Sequence, residues 1–119
     1  MKVRVTGAGF VAVNGIYTRQ SNAHIPAGFI ATCDKMQWPA SRMWKQLAVP
    51  QDWFLNTDND SYMYAHVDGR WWMDGPDGAG IYVAPVVQGS KAPSREGWSA
   101  LQVGVEPMPT VEIESDDQC

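Results

Sequence analysis

Few residues of this chain combine the type and the spacing that chemistry requires. Asp74 and Asp77 stand three positions apart, and paired carboxyl groups are common agents of general acid and base catalysis. Both belong to the segment DGPDGAG, whose glycines and proline predict an irregular loop. That segment also lacks the lysine and the serine or threonine of a phosphate-binding loop. We therefore interpret the pair as turn residues, because Asp side chains bond to the backbone of their own turns.

Histidine and cysteine are too sparse to predict a metal site or a catalytic nucleophile. The two histidines, His24 and His66, are far apart in the sequence and fall in different predicted elements. Zinc sites use Cys or His pairs at short intervals, and the sequence has none. Cys33 falls on the apolar face of a predicted helix, where a thiol is usually inert packing. The sequence therefore predicts no metal, no cofactor and no enzymatic activity.

The N-terminal segment contains a glycine pair that resembles the start of a nucleotide-binding unit. Gly7-Ala8-Gly9 follows a short apolar strand, as in a dinucleotide-binding fingerprint. That fingerprint requires a helix next, but Asn14-Gly15 followed by Ile16 and Tyr17 predicts a turn and a second strand. The motif therefore does not predict nucleotide binding.

Charge and hydropathy narrow the classes of partner. The net charge is −4, and four acidic residues lie within the last eight positions, so the rest of the chain carries equal numbers of acidic and basic residues. The basic residues are scattered, whereas nucleic-acid binding needs clustered positive charge. No secretory signal and no apolar run of membrane-spanning length is found. We therefore expect a soluble, intracellular protein with no nucleic-acid partner.

Hydrophobic periodicity predicts an α+β fold, with a small antiparallel β-sheet built around an aromatic hairpin at about 61–74. A short two-helix insertion is expected at about 26–48, because Phe29, Ile30, Cys33 and Met36 share one helical face. Strands are predicted at 2–6, 16–19, 53–55 and 81–84, and an extended edge near 110–113. The chain is long enough for one core. We expect a single domain at 1–113 and an acidic C-terminal tail at 114–119.

The hairpin YMYAHVDGRWWM carries the strongest structural signal in the sequence. Asp68-Gly69 is typical of a two-residue turn, which would place Tyr64 opposite Met73 and His66 opposite Trp71. Alternation then sorts the side chains into two faces, both substantially apolar. We expect the core face to hold Met63, Ala65, Val67, Arg70 and Trp72. The opposite face would hold Tyr62, Tyr64, His66, Trp71 and Met73.

The order of several landmarks suggests a relationship to a known kind of module. They are Asn14-Gly15-Ile16-Tyr17, the segment DSYMYAHVDGRWWMDGPDGAGIYVAP, EGW at 96–98 and PMPTV at 107–111. With these landmarks the chain resembles a small tryptophan-rich module found in proteins of unicellular eukaryotes, algae and other protists among them. The resemblance implies a self-contained building block of uncharacterised function, and it brings no catalytic residue.

The aromatic composition of the hairpin favours binding over catalysis. Tyrosine and tryptophan combine a large contact area with hydrogen bonding, which suits an interface. We predict a non-enzymatic binding or protein-interaction module, with a protein as the main expected partner. A structural accessory subunit of a larger assembly and a carbohydrate-binding module are the alternatives. The predicted binding surface consists of Tyr62, Tyr64, His66, Trp71, Asp74 and Asp77.

Overall fold

The computed structural model describes residues 1–114 as one antiparallel sheet of eight strands with two helices. The strand order is β7-β6-β5-β4-β3-β2-β1-β8, so each strand pairs with its neighbour in sequence except β8, which returns to β1. The structure fits the predicted α+β class only loosely, because the sheet dominates the fold and is larger than predicted. The strands are β1 (Lys2–Thr6), β2 (Gly15–Gln20), β3 (Trp53–Asn56), β4 (Tyr62–Ala65), β5 (Arg70–Asp74), β6 (Gly80–Pro85), β7 (Ser99–Ala100) and β8 (Thr110–Glu114).

The predicted two-helix insertion is present between β2 and β3. Helix α1 spans Ala27–Met36 and α2 spans Ala40–Leu47. Gln37 adopts a left-handed conformation with φ 61° and ends α1, and Pro39 precedes the first residue of α2. Ile30 and Met36, predicted to lie on the apolar face of α1, are exposed instead. Neither helix of the described chain is long and apolar enough to cross a membrane.

The sheet has apolar side chains on both faces, and each face builds a separate cluster. The sheet curls around the main core, which contains Val3, Val5, Tyr17, Phe54, Met63, Ala65, Trp71, Met73, Ile81 and Trp98 among others. On the other face, the helices pack on a second cluster of Phe29, Cys33, Trp44, Ala48, Trp53, Tyr62 and Tyr64. All four residues of β4 are buried, because the hairpin is covered on both sides. Covering on both sides is one of the two arrangements that its apolar faces allow.

The hairpin pairs one residue out of the predicted register. Tyr64 lies opposite Trp72 and Ala65 opposite Trp71, and His66 donates its N–H to the carbonyl of Arg70. The loop therefore has three residues and ends at Gly69, whose φ of 87° suits a three-residue hairpin loop with a bulge. A shift of one residue moves every side chain of one strand to the opposite face.

This register corrects the predicted faces of β5. Trp71 and Met73 share the main core with Met63 and Ala65, and Trp71 is fully buried. Trp72 instead lies on the helix-covered face and is only half-buried. Val67, predicted as a core residue, is exposed at the loop.

The C-terminal boundary also differs from the prediction. Glu114, expected to begin an acidic tail, is the last residue of β8 and pairs with Lys2 in the sheet. Its carboxylate accepts a hydrogen bond of 2.8 Å from Nε of Arg4. The remainder of the predicted tail, 115–119, lies outside the described residues.

The loop between β5 and β6 packs tightly on the first two turns of α1. A Cβ added at Gly28 would lie 2.8 Å from the carbonyl oxygen of Pro76 and 3.0 Å from the ring of Tyr62. One turn further on, the Thr32 hydroxyl donates to the carbonyl of Asp77 over 3.1 Å. These contacts fix the distance of α1 from the sheet.

Replacement of Gly28 by alanine is expected to lower the free energy of unfolding by roughly 1 to 3 kcal/mol, because backbone atoms must shift to admit the methyl group. Alanine for glycine in a helix ordinarily stabilises it by up to about 1 kcal/mol. Urea denaturation followed by circular dichroism measures the change. Ala31→Gly in the same helix is the matched control and should cost about 1 kcal/mol. An increase in stability of Gly28→Ala would show that the loop and α1 do not pack closely.

Candidate functional site

A cleft of about 180 Å³ lies between the two helices and the sheet. Helices α1 and α2 form one wall, and β4, β5 and the start of β6 form the floor. We call it the helix-covered cleft. It is lined by Phe29, Thr32, Cys33, Trp38, Met43, Leu47, Tyr64, His66, Trp72, Asp74, Gly78 and Gly80.

Asp74 places a buried carboxyl group on the floor of the helix-covered cleft. The residue is 4% exposed. Tyr62 lies opposite Asp74 in the pairing of β4 with β5, and its hydroxyl interacts with the carboxyl group. Within residues 1–114, no basic side chain forms an ion pair with this carboxyl. A buried carboxylate without a cationic partner is costly, so its presence on the cleft floor calls for a cause.

The surroundings of Asp74 strongly favour its neutral form. Burial raises the pKa of Asp74 to about 7. The Tyr62 hydroxyl opposes this rise in pKa, and the charge of Asp77 adds to it. Titratable groups with strongly displaced pKa values concentrate at functional sites. At neutral pH, Asp74 is therefore balanced between its charged and uncharged forms.

The hairpin turn holds a charge network beside the helix-covered cleft. Asp68 accepts hydrogen bonds from Nη2 of Arg70 at 2.9 Å and from Nε1 of Trp72 at 3.0 Å. The backbone N–H of Asp68 donates to Nδ1 of His66. Burial lowers the pKa of the His66 imidazole. The His66 ring stacks on Trp72, with centroids 4.9 Å apart and planes inclined by 24°. The network fixes both rings at one end of the cleft.

The remaining titratable groups of the helix-covered cleft are uncharged near neutral pH. Burial raises the pKa of the Tyr64 hydroxyl and that of the Cys33 thiol. Among the described residues, no hydrogen bond joins any two of Cys33, Tyr64, His66 and Asp74. Activation of a nucleophile by a neighbouring base needs such a pairing.

The structure brings together only part of the predicted binding surface. Tyr64, His66 and Asp74 line the helix-covered cleft, but Tyr62 is buried beneath α1 and Trp71 lies in the main core. Asp77 is exposed in the neighbouring loop. Tyr62 and Trp71 are therefore inaccessible, because α1 covers the first and the main core encloses the second. Sequence reasoning missed Phe29, Trp38 and Trp72, because no local signal fixes the register that turns Trp72 toward the cleft.

The burial of the hairpin rings bears on the carbohydrate-binding alternative, because a sugar ring stacks on a flat platform of exposed aromatic rings. Such a platform requires at least two exposed and roughly coplanar rings. Tyr62, Tyr64 and Trp71 are buried, and the accessible ring of the hairpin, Trp72, is stacked on His66. The hairpin therefore presents no aromatic platform to a sugar.

No family model, curated protein or solved structure matches the chain. The resemblance to tryptophan-rich modules of unicellular eukaryotes stays a prediction. The site is therefore interpreted from its own residues and their geometry.

Proposed function

We propose that the protein is a non-enzymatic binding module and that the helix-covered cleft is its binding site. The observation that carries the proposal is the apolar cleft itself, with the buried carboxyl of Asp74 as the one acidic group of its lining. Binding sites are typically apolar concavities with a few placed polar groups, and the cleft has this composition. A ligand group that enters it can bury apolar area and lie beside the carboxyl in one step.

The mouth of the helix-covered cleft supports a protein as the partner. Trp38, in the link between α1 and α2, lines the cleft and is still 45% exposed. Met36, two residues earlier, is also exposed. Aromatic and methionine side chains are enriched at protein interfaces. A partner side chain in the cleft would allow these two residues to bury further area around it.

Binding in the helix-covered cleft can be tested without knowledge of the ligand. A library of small fragments, both charged and neutral, is screened by two-dimensional NMR on ¹⁵N-labelled protein. We expect chemical-shift changes at Phe29, Tyr64, Asp74 and the indole N–H of Trp72, because these groups line the cleft.

Two matched variants separate the helix-covered cleft from the rest of the surface. Met43→Trp fills the cleft and should abolish the shifts, whereas Met36→Trp adds the same side chain outside the lining and should leave them unchanged. Shift changes confined to the open depression around Val87, Pro93 and Ile113 would contradict the proposal. An equal response of both variants would also contradict it.

A further inference from the structure

We infer that the helix-covered cleft recognises an alkylated ammonium group, such as a quaternary amine or a methylated lysine side chain. The inference rests on the proposed function, since it names the ligand class of the same site. The juxtaposition of aromatic rings, one buried carboxyl group and no basic residue carries it.

The lining of the helix-covered cleft is electrostatically suited to a cation. Aromatic rings present a negative face, and quaternary ammonium groups are bound by cages of such rings. Neither lysine nor arginine is among the lining residues. The rings of the lining are Phe29, Trp38, Tyr64, His66 and Trp72, with Asp74 at the floor.

Charges close to the helix-covered cleft leave Asp74 without a counter-ion. Arg70 is the nearest basic side chain on the hairpin, and it is paired with Asp68 at 2.9 Å. Its guanidinium carbon also lies 5.5 Å from the centroid of the Trp72 ring, so Asp68 and Trp72 together hold Arg70 at the turn. A cation in the cleft would compensate a charge that the described chain does not neutralise.

The size of the helix-covered cleft and its few hydrogen-bond acceptors favour an alkylated amine over a bare one. An unmodified lysine ammonium carries three N–H donors and is strongly hydrated. The cleft offers Asp74 as its one carboxylate, and Phe29, Met43 and Leu47 make much of the wall apolar. Donors left unpaired on burial each cost free energy. Methyl groups replace those donors and pack against the apolar wall, and a volume of about 180 Å³ admits them.

Two sources share this chemistry, and isothermal titration calorimetry at pH 8 distinguishes them. The probes are choline, its uncharged carbon isostere 3,3-dimethyl-1-butanol, and a short Gly/Ser peptide with one trimethyllysine. We expect choline or the peptide to bind at least about tenfold more tightly than the isostere. Tighter binding of choline assigns a free small amine, and tighter binding of the peptide assigns a modified protein.

Two isosteric variants test the role of the buried carboxyl group. Asp74→Asn should weaken cation binding at least about tenfold and leave the isostere unaffected. Asp77→Asn makes the same change of net charge at an exposed position three residues away, and its effect should stay within about twofold. Circular dichroism confirms that both variants are folded.

The inference and the proposed function fail in different ways. If the isostere binds as tightly as choline and the NMR shifts still map to the helix-covered cleft, only the ammonium inference is overturned. Equal weakening by Asp74→Asn and Asp77→Asn would overturn it too. Absence of fragment shifts in the cleft would overturn the proposed function and the inference together.

Discussion

The effect of Asp74→Asn on the free energy of unfolding is expected to be more favourable at pH 8 than at pH 4, by roughly 4 kcal/mol. The pKa of the folded carboxyl, about 7, exceeds the ordinary value of an unfolded Asp. Between these two values the folded state binds more protons than the unfolded state, so wild-type stability falls as pH rises. Asparagine does not titrate and escapes this loss, which amounts to about 1.4 kcal/mol per pH unit.

Urea denaturation between pH 4 and pH 9 measures the difference between wild type and Asp74→Asn. Asp77→Asn is the matched control, because it removes an equal charge from an exposed position in the next loop. It should keep most of the wild-type pH slope. A difference between wild type and Asp74→Asn that does not change with pH would contradict the buried state of the Asp74 carboxyl.

Alanine at Trp71 is expected to cost roughly 3 to 5 kcal/mol of unfolding free energy, against roughly 1 to 2 kcal/mol at Trp72. Trp71 is fully buried in the main core and packs near Phe54, with ring centroids 6.1 Å apart. Trp72 is half-buried beside the helix-covered cleft. A domain's total stability is only about 5 to 15 kcal/mol, so the Trp71 variant loses a large part of it.

Thermal and urea unfolding of the two variants compare neighbouring residues of the same type. If Trp71→Ala does not fold, phenylalanine at each position provides the milder pair, and the order of the losses should be the same. A larger loss of stability at Trp72 than at Trp71 would contradict the observed register. It would indicate that Trp72 lies in the main core, where a two-residue turn would place it.

Much of the architecture follows from local sequence patterns. The alternation of KVRVT, the β-forming pair Ile16-Tyr17 and the helical spacing before Trp38-Pro39 predict β1, β2 and α1. The turn predicted at Asn14-Gly15 is wrong, because Gly15 is the first residue of β2 and pairs with Val5. These elements depend on neighbouring residues and on proline and glycine, whose backbone preferences act locally. The pairing of β8 with β1 joins the two ends of the described chain, and no local pattern encodes that pairing.

The hairpin register shows why local rules were insufficient for the site. Asp68-Gly69 suits a two-residue turn, but Gly69 with φ 87° also ends a three-residue loop. Both Trp71 and Trp72 are apolar, so either register buries one tryptophan on each face. The choice depends on packing against elements distant in sequence, such as Phe54 of β3. The helix-covered cleft was not predictable from the hairpin, because α1, α2 and the link between them supply half of its lining.

The titration of the Asp74 carboxyl carbon, followed by ¹³C NMR in the free protein, tests the central claim most directly. A carboxyl group buried on the cleft floor without a basic partner should titrate with a midpoint near pH 7. A midpoint near 4, the ordinary value for Asp, would contradict the account, because the carboxyl would then be hydrated or already paired.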